Sequence, residues 1–151
     1  MSGLNRLKAE FQDLHDNPLI SIGCCIGLIG NDYYKWTCTL RGPDGTPYKD
    51  GIFQVQFEFP QNYPEEGPVG RFVTKIYHLN VRDSDGKICI NYLNSWDPKR
   101  KMKDVLLAVF ALFNKQNPES PWDSSRADLY KNNRNEFDRQ CRICTKKYAS
   151  Y

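Results

Sequence analysis

Phe53-Gln54-Val55-Gln56-Phe57-Glu58-Phe59 sets an apolar side chain at every second position and a polar one between. Successive strand residues point to opposite faces, so this run predicts a strand with one face in a core and the other in water. Working outward, Lys35 to Leu40 alternates in the same way, after a turn signal at Gly30-Asn31-Asp32. Ile20 to Ile29 is apolar and β-compatible, and Gly42-Pro43-Asp44-Gly45-Thr46-Pro47 is a long turn. Downstream, Tyr63-Pro64 and Gly67-Pro68 punctuate the chain before a short fourth strand around Phe72-Val73-Thr74. Consecutive strands joined by turns predict a four-stranded antiparallel meander.

Helical spacing flanks this sheet. Leu4, Leu7, Phe11 and Leu14 form one stripe, with Arg6, Lys8, Glu10 and Asp13 off it, so an amphipathic helix opens the chain and stops at Asn17-Pro18. Met102, Val105, Leu106, Val109, Phe110 and Phe113 predict a second helix, preceded or capped by Asp97-Pro98 and ended by Asn117-Pro118. Ala127 to Lys131 reads as a short helix and Asn135 to Tyr148 as a longer last one. Between sheet and helices, Tyr77 to Pro98 has no sustained period. The order predicts an α+β fold and one domain over residues 1–151, with an N-terminal helix, the meander, an irregular segment and C-terminal helices.

Composition narrows the function classes. With 151 residues, 40% apolar and 26% charged, the chain is the size of one core-forming domain, and its net charge of +3 argues for neither nucleic acid nor an anionic membrane as partner. The opening residues show no signal-peptide or myristoylation pattern, and no apolar run approaches the roughly 20 residues of a membrane span, so the expected location is cytoplasmic and/or nuclear. Six cysteines do not make a disulfide framework here. Cys24, Cys25, Cys38, Cys141 and Cys144 lie in strand-like or helical patterns and read as small buried hydrophobes. Cys141-x-x-Cys144 is half of a zinc spacing, but no second CxxC or HxxxH completes it, and only His15 and His78 are available, so no metal is expected.

Cys89 differs, because Gly86-Lys87-Ile88-Cys89-Ile90 lies in the irregular segment. Long irregular stretches inside compact domains are commonly functional. His78-Leu79-Asn80 precedes it, and Trp96 follows as a candidate wall. A thiol is a good acyl carrier, and an Asn amide is a donor able to steady an oxyanion. From the residues alone, Cys89 is either reactive or one more packed cysteine, and Asn80 either an oxyanion donor or the tie of a turn.

A longer pattern bears on that choice. Gly42-Pro43-x-x-Thr46-Pro47-Tyr48-x-x-Gly51-x-Phe53 is followed by Phe59-Pro60-x-x-Tyr63-Pro64-x-x-x-Pro68, then Phe72 and Tyr77-His78-x-Asn80. Gly86-x-Ile88-Cys89-Ile90, Leu93, Trp96, Pro98, Val105-Leu106-Leu107, Asn117-Pro118-x-x-Pro121 and Lys147-Tyr148-Ala149 complete it. Over residues 4–149 the chain resembles the ubiquitin-conjugating enzymes. The resemblance implies that Cys89 carries ubiquitin as a thioester and passes it to a lysine or to a ligase cysteine. It makes Asn80 the Asn of the family's His-Pro-Asn motif, an oxyanion stabiliser or loop anchor, and His78 a largely structural histidine rather than a general base. It implies ubiquitin or a ubiquitin-like protein, an activating enzyme, a ligase and a substrate protein as partners, and no cofactor, since ATP is consumed by the activating enzyme. Alternatives are a conjugating enzyme for another ubiquitin-like modifier, a catalytically silent ubiquitin- or ligase-binding variant, and a cysteine hydrolase built on Cys89 and His78.

The departures from the family pattern are local. Leu79 stands where the motif has proline, and the loop from His78 to Cys89 is one residue longer. Asn91 and Ser120 occupy positions that are often acidic, with Glu119 and Asp123 close by in sequence as substitutes. On the partner surface, the resemblance assigns Arg6 and Lys8 to the face of the first helix read by activating enzyme and ligase. Glu65 and Lys99, the latter following Pro98, stand where ligases often meet an apolar anchor.

Overall fold

The computed structural model describes residues 2–89, 91–119 and 121–150, and for Asn91 and Tyr92 the backbone alone. Helix α1 (Gly3–Asp16) starts where Ser2 Oγ accepts from the Asn5 N–H at 3.1 Å, satisfying one of the open amides of the first turn. Its stripe buries Leu7 and Leu14, and Phe11 packs edge-on against Tyr33 and Trp36. Leu4, at the start of the stripe, stays exposed.

Strands β1 (Cys25–Ile29), β2 (Asp32–Arg41), β3 (Ile52–Glu58) and β4 (Val69–Phe72) pair antiparallel in the order β1-β2-β3-β4, the expected meander. The register sets Trp36 opposite Phe57, Cys38 opposite Val55 and Leu40 opposite Phe53, all buried on the inner face. Fully burying such a side chain is worth about 1.5–3 kcal/mol, which makes the register costly to shift by one residue.

Several features depart from the sequence reading, among them the end of the second expected helix, which stops at Ala111 and not at Asn117-Pro118. Residues 20–22 form a 3-10 turn, so the first strand begins only at Cys25. The fourth strand ends at Phe72, because Thr74 Oγ1 takes the Gln54 N–H at 2.9 Å in place of a ladder carbonyl. The segment 77–98 is less irregular than expected: Val81 bridges Ile88, Lys87 bridges Arg71, and a one-turn helix α2 (Asn91–Asn94) follows.

Helix α3 (Met102–Ala111) lays Met102, Val105, Leu106 and Val109 into the core, and Phe113 beyond it packs against Phe53, Phe72 and Tyr48. Asp97-Pro98 precedes α3 by a turn in which Asp97 Oδ1 accepts from the Lys99 N–H at 3.0 Å. Helices α4 (Ser124–Asn132) and α5 (Arg134–Tyr148) close the chain, and the Ile52 N–H donates to the Ala149 carbonyl at 2.9 Å, tying the end of α5 to β3. No described helix is long and apolar enough to cross a membrane.

The cysteines divide differently from the expectation. Cys24, Cys38 and Cys141 are buried as expected, but Cys25 is exposed and Cys144 half-buried. Cys24 and Cys25 are adjacent on an extended chain, so their side chains take opposite faces and only one can enter the core.

Candidate active site

Cys89 stands at the end of an arm folded back onto β4. The Phe72 N–H donates to the Gly86 carbonyl at 2.8 Å, and the Ile88 N–H to the Gly70 carbonyl at 3.0 Å. The arm turns at Gly86, where φ is 78° and an added Cβ would lie 1.9 Å from the Phe72 carbonyl oxygen, so both torsion and space require glycine. Arg82 pairs with Asp85 across that turn, and Asp85 Oδ1 also accepts from the Lys87 N–H, which holds the Asp85 carboxyl well below the usual carboxylate range. Ile88 is buried against Gly70, whose missing side chain makes room for it. The next residue therefore faces the other way, and Cys89 is half-buried with Asn94 Nδ2 at 3.6 Å from its Sγ.

The platform beneath the thiol is the segment 77–80. The Cys89 N–H donates to the Asn80 carbonyl at 2.7 Å, and the same carbonyl accepts from Trp122 Nε1 at 3.2 Å. The Asn80 side chain grips the backbone of Asn117, its Nδ2 donating to the carbonyl and its Oδ1 accepting from the N–H, both at 2.9 Å. Asn80 is fully buried. The Trp122 N–H donates to the Leu79 carbonyl at 3.1 Å, and the Leu79 N–H donates to Gln116 Oε1 at 2.8 Å.

His78 is also fully buried, and both its nitrogens are engaged inside the fold. The Asn80 N–H donates to Nδ1 at 3.0 Å, which leaves Nε2 to donate to the Leu112 carbonyl at 2.8 Å. Burial pushes its pKa down to about 4, so the ring is neutral at physiological pH. Neither nitrogen is directed to Cys89, and the Cys–His pairing that a hydrolase of the kind considered above would need is not formed.

The remaining expected site residues fall in two groups. Ser120 lies outside the described residues, and of Asn91 only the backbone, at the start of α2, is described. Asp123 is occupied as the cap of α4, where Oδ1 accepts from both the N–H and the hydroxyl of Ser125, and these bonds lower its pKa. Trp96 does not face the thiol: its Nε1 donates to the Pro64 carbonyl at 2.8 Å and its ring sits over Gly67 beside Tyr63.

Of the residues expected at the partner surface, Arg6 and Pro98 are brought together. Glu10 on α1 accepts from the Tyr63 hydroxyl at 2.6 Å, from the Met102 N–H at 2.8 Å and from Arg6 at 3.2 Å. Arg6 in turn donates to the carbonyls of Pro98 and Arg100, so it clamps α1 to the loop before α3 rather than standing free in solvent. Lys8, Glu65 and Lys99 are exposed, with the Lys8 ammonium 5.7 Å from the Tyr33 ring centre.

Residues 6–145 match the sequence model of the family described as ubiquitin-conjugating enzyme. The chain belongs to the ubiquitin-conjugating enzyme family. It is 35% identical over 149 residues to the ubiquitin conjugating enzyme E2 B of Dictyostelium discoideum, covering 99% of each chain. Among solved structures, the E2 domain of a Toxoplasma gondii ubiquitin conjugating enzyme superimposes with a TM-score of 0.85 at 30% identity, over 97% of this chain and 99% of that one. The α+β architecture is thus that of the family, helix first, meander next, helices last.

Sequence reasoning missed Asn94, Gln116, Asn117 and Trp122 as parts of the site. Asn117 and Trp122 flank a Pro-rich turn that looked like a helix end, and nothing in the periodicity separates a turn that ends a helix from one that grips a distant loop.

Proposed function

We propose that Cys89 accepts ubiquitin from an activating enzyme and passes it on. In the first step the Cys89 thiolate attacks the carbonyl carbon of the incoming thioester; a new C–S bond forms and the activating enzyme's cysteine leaves as thiolate. In the second step a lysine amine or a ligase cysteine attacks the same carbon, Cys89 leaves as thiolate, and the attacking amine gives up its proton. No cofactor of the chain's own is needed, because the thioester arrives already activated. The observation that carries this reading is a half-buried thiol at the family's cysteine position, on an arm whose amide is bound to Asn80.

The same geometry favours the anchoring reading of Asn80. Both polar atoms of its amide bond the Asn117 backbone, which fixes the loop after α3 to the loop before Cys89. His78 acts as a neutral structural strut, and the Arg6–Pro98 clamp with the exposed Lys8, Glu65 and Lys99 belongs to the surfaces offered to activating enzyme and ligase. The test is incubation with activating enzyme, ATP and a panel of ubiquitin-like modifiers, read on non-reducing gels. A reductant-sensitive adduct with ubiquitin is expected; an adduct with a different modifier alone would reassign the cargo, and none with any would favour a silent binding protein.

A further inference from the structure

Gln116 is 5% exposed and lies immediately before the residue that Asn80 grips. Its Oε1 accepts from the Leu79 N–H at 2.8 Å, and its Nε2 donates to the Tyr48 hydroxyl at 2.7 Å. That hydroxyl donates to the Tyr77 carbonyl at 2.6 Å, and the Cys141 thiol on α5 lies 3.4 Å from it. One side chain therefore holds the platform under the thiol on both sides of His78, directly at Leu79 and through Tyr48 at Tyr77. Tyr48 and Leu79 are themselves buried, so water is poorly placed to replace either bond.

We propose that Gln116 is a positioning residue for acyl transfer at Cys89, acting through the Leu79–Asn80 backbone, and that Leu79 and Gln116 work as a matched pair. The proposal rests on the reading of Cys89 as the acyl carrier. The path is short: Gln116 fixes the Leu79 N–H, the Leu79 carbonyl that follows takes the Trp122 N–H at 3.1 Å, and the carbonyl after it, that of Asn80, receives the Cys89 N–H at 2.7 Å. A residue with a free backbone N–H is needed at position 79 for this bond. Proline there, as in the family motif, has no N–H and would leave Gln116 Oε1 buried without a donor. Conversely, an apolar residue at position 116 would leave the Leu79 N–H buried without an acceptor. Each residue is thus suited to the other rather than to the site alone.

The experiment is a double-mutant cycle on the full chain with Leu79→Pro, Gln116→Met and both together. It measures single-turnover discharge of the charged protein to lysine, melting temperature, and hydrogen exchange of the Leu79 amide in the wild type and in Gln116→Met. Discharge is measured well below every variant's melting temperature, so a purely structural role leaves its rate unmoved. Each single variant is expected to slow discharge by about ten- to a hundredfold, the scale of small misplacements in a reacting site. The double variant, which leaves neither group unpaired, should run faster than either single one. The wild-type Leu79 amide should exchange slowly and Gln116→Met should release it. Wild-type discharge rates in the single variants, with only the melting temperature lowered, would overturn the proposal, as would a double variant as slow as the product of the two losses. If the wild-type protein takes no modifier while its Leu79 amide remains protected by Gln116, the failure belongs to the acyl-carrier reading and not to the contact.

Discussion

The sheet and the active-site segment are built by different forces. In β2 and β3 the backbone bonds are those of a regular ladder, and position is set by side chains entering the core: Trp36, Cys38, Leu40, Phe53, Val55 and Phe57 are all at most 2% exposed. Between residues 77 and 89 the backbone has little ladder to join. Distant groups hold it instead: Tyr48, Gln116 and Trp122 bond its backbone, while the Leu112 and Asn117 backbones bond the side chains of His78 and Asn80. The first region resists unfolding by burial, whereas the second resists misplacement by direction. Damage to them should therefore register in different measurements.

The largest effect on stability belongs to the sheet. Leu40→Ala empties a fully buried site and should cost about 2–5 kcal/mol, read as a lower midpoint in denaturant, while the folded fraction keeps its discharge rate. A comparable loss of rate in the folded fraction would break the division.

The segment's strut should appear as a pH dependence. His78 has a folded pKa of about 4 against 6.5 when exposed, so below pH 6.5 the unfolded chain binds the extra proton. The stability it carries is complete above pH 6.5 and is lost as pH falls toward 4, by about 3 kcal/mol. His78→Gln, which retains a donor and an acceptor, should flatten that part of the stability curve relative to wild type. Parallel curves over this range would mean that the ring is not held neutral.

Asn80→Ala leaves the Asn117 N–H and carbonyl without their partner. It should slow charging and discharge alike, by about 10²-fold, as expected when a reacting group is displaced. Loss of discharge alone at an unchanged melting temperature would instead make Asn80 an oxyanion donor. At the small end, Cys25→Ser should leave charging intact and stability within about 0.5 kcal/mol, because Cys25 faces solvent.

The same contrast explains what was legible in the sequence. The alternation over residues 53–59 and the stripe of Leu7, Phe11 and Leu14 announce their partners, because burial writes a period into the chain. Cys89, His78 and Asn80 were legible only as residue types in a family order. Their holders, Gln116 and Trp122, are 37 and 43 residues along from Leu79 and leave no periodic trace. Leu79 shows the limit most clearly. By motif alone proline would be welcome there, but it would remove the buried bond from the Leu79 N–H to Gln116.

The central claim is that Cys89 carries the acyl group, and its most direct test is charging of the wild-type protein beside Cys89→Ser and Cys89→Ala. With activating enzyme, ATP and ubiquitin, the wild type should form an adduct that thiol reductant removes. Cys89→Ser should form at most a reductant-stable ester, and Cys89→Ala nothing. A reductant-sensitive adduct that persists on Cys89→Ala would place the chemistry on another cysteine and contradict the account.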